Sequence, residues 1–188
     1  MMIYNQNKVD RYHKILSYSA APTLRRVKPS SLICLPQELN ADNIRLAAEG
    51  LEMMYMYKCK SSHVIFIFNR EMLDDIINKK EIKSFLTRYS YPTDCGLDIH
   101  LQHLKKRLNE YVQGENVFPH EVGIFLGYPY EDVRDFIQSK KDCCFSGYWK
   151  VFNNPQEALK IMQNYSLAQK QVLYAHDNGK RFFEFLGI

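Results

Sequence analysis

Residues 118–137, Phe-Pro-His-Glu-Val-Gly-Ile-Phe-Leu-Gly-Tyr-Pro-Tyr-Glu-Asp-Val-Arg-Asp-Phe-Ile, set two proline-started helical patterns on either side of one glycine. Pro119 can open a helix, where its missing N–H is no loss, and Val122, Phe125 and Leu126 give that helix an inward stripe. Gly127 suits the left-handed conformation that closes a helix, and Pro129 opens a second one with Val133, Phe136 and Ile137 facing inward. Two helices across a glycine turn have the outline of a helix-turn-helix.

Charge argues against the DNA-binding reading of that outline. The second helix opens with Glu131, Asp132, Arg134 and Asp135, one base against three acids. A recognition helix lies among phosphates, which these acids repel, whereas acids at a helix start suit its dipole. The whole chain carries +4, from 25 basic and 21 acidic residues, and its basic clusters Lys79-Lys80, Lys105-Lys106-Arg107 and Lys140-Lys141 are short and scattered. This is no concentrated basic footprint, so the sequence argues against a nucleic-acid partner. A DNA-binding regulator stands as the third reading of function.

With 188 residues, 46% of them hydrophobic, the chain suits one domain spanning residues 1–188. Its longest strongly apolar run, Val64-Ile-Phe-Ile-Phe68, falls far short of a membrane span, and the residues from Met1 to Lys14 contain no signal-type apolar core. No membrane role is expected. Five scattered cysteines (Cys34, Cys59, Cys95, Cys143, Cys144), with no CxxC pair, fit a reduced cytoplasm.

Periodicity predicts helices over residues 7–18, about 40–57, 70–89 with a break near Lys79, and 97–112. Asn154, Pro155 and Glu157 form a capping signal for another. Strands are predicted at 31–35, 63–68 and 145–152, the last by the alternation of Phe145, Gly147, Trp149 and Val151 against Ser146, Tyr148, Lys150 and Phe152. The first two strands with the long intervening helix read as a βαβ unit. The expected fold is α+β: a small sheet of about three strands enclosed by helices.

His120-Glu121 is the first place to look for chemistry. The functional reading makes His120 a general base or metal ligand oriented by Glu121; the structural one has Glu121 stabilising a helix start. Ile124 and Phe125 follow where a zinc-protease motif needs histidine, so no metal site is assigned. His100 and His103 read as surface histidines beside the Leu101–Leu104–Leu108 stripe. Adjacent Cys143-Cys144 read as one buried and one exposed strand residue. On the third strand Trp149 belongs to the core, while Tyr148 and Lys150 share the face open to a ligand. No glycine-rich phosphate loop, nucleophile elbow or Ser-His-Asp pattern occurs, so no cofactor is named.

At residues 118–133 and Gly147-Tyr-Trp-Lys-Val-Phe152, and also at Ala21-Pro22-Thr23-Leu24, Lys28-Pro29 and Asn69-Arg70, the chain resembles the bacterial family of domain of unknown function 3793. The resemblance covers most of the chain and implies an intracellular protein with no established activity. Its shared residues map onto His120, Glu121, Gly123, Gly127, Tyr128, Pro129, Gly147, Tyr148, Trp149 and Lys150. Asn69 stands where members tend to carry an aromatic.

The leading expectation is a cytoplasmic binding or accessory protein. Its site would join the His120-Glu121 helix start to Tyr148 and Lys150, with Tyr128 nearby, and its partner would be a small molecule or a protein. The alternative is an enzyme using His120 and Glu121 for proton transfer or metal binding. No sequence feature specifies an oligomeric state.

Overall fold

The computed structural model describes residues 2–39, 41–138 and 142–185, with side chains from residue 8 onward. The predicted helix start at Asn40 and the pair Lys140-Lys141 lie outside the described residues. The residues group into two compact units, Met1–Asn69 with Asn164–Ile188, and Arg70–Gln163.

In the first unit, α1 (Met2–Leu24) is longer than the predicted 7–18 and runs through Pro22, which sits in its last turn. There the lost N–H costs one bond only, and the Pro22 carbonyl accepts from the Val27 and Lys28 amides at 2.9 and 3.1 Å. β1 (Ser30–Pro36) and β4 (Ser62–Phe68) are the two predicted strands. β4 is central, and Val64, Ile65, Phe66, Ile67 and Phe68 are all buried, as an apolar run open to two faces requires.

The βαβ unit is not formed. Residues 44–59 make β2 (Ile44–Leu46) and β3 (Glu52–Cys59) in place of the predicted helix, and β1-β4-β3 is an antiparallel sheet. Gly50, at φ 71°, turns the chain between them. Ile44, Ala47, Ala48, Leu51 and Tyr55 match a helical spacing by coincidence. What decides is the run Met53-Met-Tyr-Met-Tyr57, which pairs along β4 with a bulge between Tyr55 and Tyr57 that turns Met56 fully inward.

β7 (Phe183–Phe185) pairs with β2 within the first unit. One core joins Leu16, Ala20 and Leu24 of α1, Ile33, Leu35, Ile65 and Ile67 of the sheet, and Val172 and Phe183.

In the second unit, α2 (Arg70–Ile77), α3 (Lys80–Thr87) and α4 (Leu97–Val112) fall where periodicity put them, the break at Lys79 included. α5 (Val122–Phe125) is a single turn and α6 (Tyr130–Gln138) the second helix of the opening motif. Gly127 takes φ 74°, and the Tyr128 amide returns to the Gly123 carbonyl at 2.9 Å. Gly123 serves close packing: a Cβ there would meet Val133 Cγ2 at 2.8 Å.

The predicted strand 145–152 is instead a hairpin, β5 (Phe145–Ser146) against β6 (Lys150–Val151). Gly147-Tyr148-Trp149 is the turn, closed by the Gly147 amide on the Trp149 carbonyl at 3.0 Å. α7 (Pro155–Asp177) begins at the proline of the capping signal; its first turns belong to the second unit and the rest to the first. The fold is thus α+β. Among the described residues no helix is long and apolar enough to cross a membrane.

Candidate functional site

His120 and Glu121 point different ways. Glu121 is 1% exposed. Its Oε1 accepts from Arg107 Nε of α4 and from the Tyr91 hydroxyl at 3.2 Å, while Oε2 has no hydrogen-bond partner among the described residues. Burial opposes the Arg107 charge, yet the Glu121 hydrogen bond and charge outweigh it and raise the guanidinium pKa. Burial first, and the Glu121 charge second, hold the Tyr91 phenol protonated well above its usual range. Glu121 therefore closes an internal ion pair, α4 to the 118–121 turn, and does not orient His120.

His120 is exposed and belongs to a run of rings. Phe118 is 5.2 Å from it, centroid to centroid, and Phe136 of α6 is 5.0 Å away with the planes at 76°. Lys150 sets its ammonium 5.5 Å from the centre of the same Phe136 ring, and Phe152 continues the run at 6.5 Å. His120 and Lys150 thus meet at one aromatic ring. An imidazole and an ammonium over rings offer hydrogen-bond donors on an apolar floor.

Tyr128 stacks on Trp149 at 5.4 Å and 24°, and burial raises its phenol pKa. Trp149 is buried, although it lies in the hairpin turn and not on the continuous strand whose alternation predicted its burial. Tyr148, in the hairpin turn, is half-buried. Of the predicted residues His120 and Lys150 each touch the Phe136 ring, Tyr128 stacks on Trp149, and Glu121 points inward.

The acids of α6 hold the hairpin. Asp132, 1% exposed, accepts from Trp149 Nε1 at 2.7 Å, the Phe152 amide at 2.9 Å, and the Asn153 amide and side chain at 2.8 and 3.1 Å. Asp135 accepts from Asn153 at 3.0 Å and from Arg134. Two of the three acids on α6 are committed to this internal network.

The two α4 histidines are not on the surface. His100 is 4% exposed and His103, half-buried, sits 4.3 Å from the Tyr91 ring and bonds the Tyr89 carbonyl at 3.1 Å. The ring of Tyr91, ahead of α4, covers a margin that spacing along α4 alone leaves open. Cys143 is half-buried and Cys144 exposed. Sequence reasoning missed Phe136 as the ring between His120 and Lys150, and missed Arg107 and Tyr91; their partners lie 14 to 30 residues away, beyond any local pattern. Among the described residues no three of His, Cys, Asp and Glu gather as a metal-ligand set.

No curated protein and no solved structure matches the chain. The family model described as "Protein of unknown function (DUF3793)" matches residues 16–186, which include the ring run, the ion pair and the hairpin. The chain belongs to the DUF3793 family.

Proposed function

We propose that this is a cytoplasmic binding or accessory protein whose ligand is an anion bearing a flat apolar group. His120 and Lys150 take the anion, the rings of Phe118 and Phe136 take the flat group, and Tyr148 borders them on the hairpin. The observation that carries this reading is the meeting of an exposed imidazole and an exposed ammonium on the single ring of Phe136. Two hydrogen-bond donors against one apolar ring suit recognition of such a ligand better than either element alone. Glu121 supports the site from behind by fixing the turn that carries His120, and Tyr128 by stacking behind the hairpin. All five cysteines are free thiols, in keeping with a reducing compartment.

Calorimetric titration with phenyl phosphate, inorganic phosphate and benzyl alcohol tests the reading. Phenyl phosphate is expected to bind most tightly of the three, with Lys150→Ala and His120→Ala each weakening it about tenfold, near 1.4 kcal/mol. Absence of binding, or binding that neither substitution changes, contradicts it.

A further inference from the structure

The run of rings beside His120 continues past the residues assigned to the anion. Tyr111, in the last turn of α4, stands edge-on to Phe118 at 5.1 Å and 88°. Ring centroids thus follow one another from Phe136 to His120, Phe118 and Tyr111 in steps of 5.0, 5.2 and 5.1 Å, all within the second unit. The Tyr111 end is open: Tyr111 is 44% exposed, its neighbour Val112 39%, and Val117, next to Phe118 in the chain, 75%. Single exposed apolar residues are ordinary, but three of them continuing a line of rings make a surface suited to a partner.

Exposure and charge along this line select the class of ligand. Small-molecule sites enclose most of their ligand's surface, which a line ending in side chains this open does not do. A single nucleic-acid strand carries a phosphate at every step and needs cations along its whole length. Here the Lys150 ammonium stands over Phe136 at one end, while the other end carries Glu110, bridged to Lys106, and exposed Glu115. Arg107, one turn before Tyr111, is taken up by Glu121. The acids at the Tyr111 end repel phosphate, and the charge pattern fits a ligand whose anion lies at the Lys150 end only. An extended peptide meets both conditions: alternate side chains point to one side, and five residues reach about 13 Å, enough to set three side chains along the rings.

We propose that this face docks an extended segment of a partner protein. An acidic side chain of the segment lies at Lys150 and His120, an aromatic one two residues on lies on Phe136 and Phe118, and an apolar one two residues further lies against Tyr111 and Val117. The inference rests on the reading that His120 and Lys150 take an anion, and it names that anion as a side-chain carboxylate. Aromatic and apolar anchors around one charged contact are the usual means by which such a segment is held.

The test titrates the full chain with acetyl-Glu-Ser-Phe-Ser-Leu-amide, with the same residues reordered as acetyl-Phe-Ser-Glu-Ser-Leu-amide, with a short oligothymidylate, and with phenyl phosphate. The first peptide is expected to bind about tenfold more tightly than the reordered one and than phenyl phosphate. Val117→Ser and Tyr111→Ala, both at exposed positions, should each weaken the first peptide about fivefold and leave phenyl phosphate unchanged. If phenyl phosphate binds through His120 and Lys150 but the first peptide binds no tighter, or is indifferent to Val117→Ser and Tyr111→Ala, the peptide inference falls and the anion site stands. Tighter binding of the oligothymidylate than of the peptide overturns it in favour of a nucleic-acid strand. Binding of neither peptide nor phenyl phosphate overturns the inference together with the reading beneath it.

Discussion

The Trp149 indole donates to the Asp132 carboxylate across 2.7 Å, joining the hairpin turn to α6 inside the second unit. Two backbone amides and the Asn153 side chain complete the set around that carboxylate. Acids that look like helix-start decoration in the sequence thus fix the segment that presents Lys150.

Asp132→Ala strands several donors in a buried place. It is expected to destabilise the protein by about 3 kcal/mol, and Asp132→Asn by less, because the amide keeps one acceptor. Trp149 is the only tryptophan in the chain, so its fluorescence in urea unfolding reports on this contact directly. A loss below about 1 kcal/mol contradicts the assigned role.

The Arg107–Glu121 pair predicts strong coupling. Glu121→Leu leaves a partly buried guanidinium without its carboxylate and should cost about 3 kcal/mol. The double variant Arg107→Leu with Glu121→Leu should cost less than the sum of the single changes, a coupling of about 1 kcal/mol or more by chemical denaturation. Additive costs contradict the pairing.

Two glycines of the motif are required for different reasons. Gly123→Ala pushes a methyl into Val133 and should cost about 1–3 kcal/mol through overpacking. Gly127→Ala forces a side chain into φ 74° and should cost about 1 kcal/mol. Thermal unfolding of both variants checks the order.

In the first unit, His13 is 2% exposed and sits 4.4 Å from the Phe185 ring. Burial first, and the Arg181 charge second, lower its pKa from 6.5 to about 4. The unfolded chain takes the proton near pH 6.5 and the folded one only near 4. The stabilisation is therefore complete above pH 6.5, declines as pH falls through this window, and is lost below about 4. With screening near the exposed Asp10–Arg181 bridge the contribution is about 2 kcal/mol. Urea midpoints at pH 7 and 4.5 should differ less in His13→Leu than in the unsubstituted protein; equal differences contradict the assignment.

What the sequence made legible was local. α4 carries five buried residues at helical spacing, β4 is apolar on both faces, and Pro155 starts α7 where a capping signal stands. Residues 44–57 misled because their apolar positions fit a helix, while Gly50 and pairing with β4 decided for strands. At the candidate site His120 and Lys150 were legible as residues, but their meeting at Phe136 was not. That contact depends on a hairpin turn at Gly147-Trp149 and on Asp132 bonds reaching 17 to 21 residues along the chain.

The most direct measurement of the central claim is the imidazole NMR signal of His120 during titration with phenyl phosphate. A saturable shift at His120, abolished or weakened about tenfold by Lys150→Glu while the Trp149 indole signal stays in place, is the expected result. A His120 signal that does not move, or moves equally in Lys150→Glu, contradicts a ligand site at the meeting of these two residues.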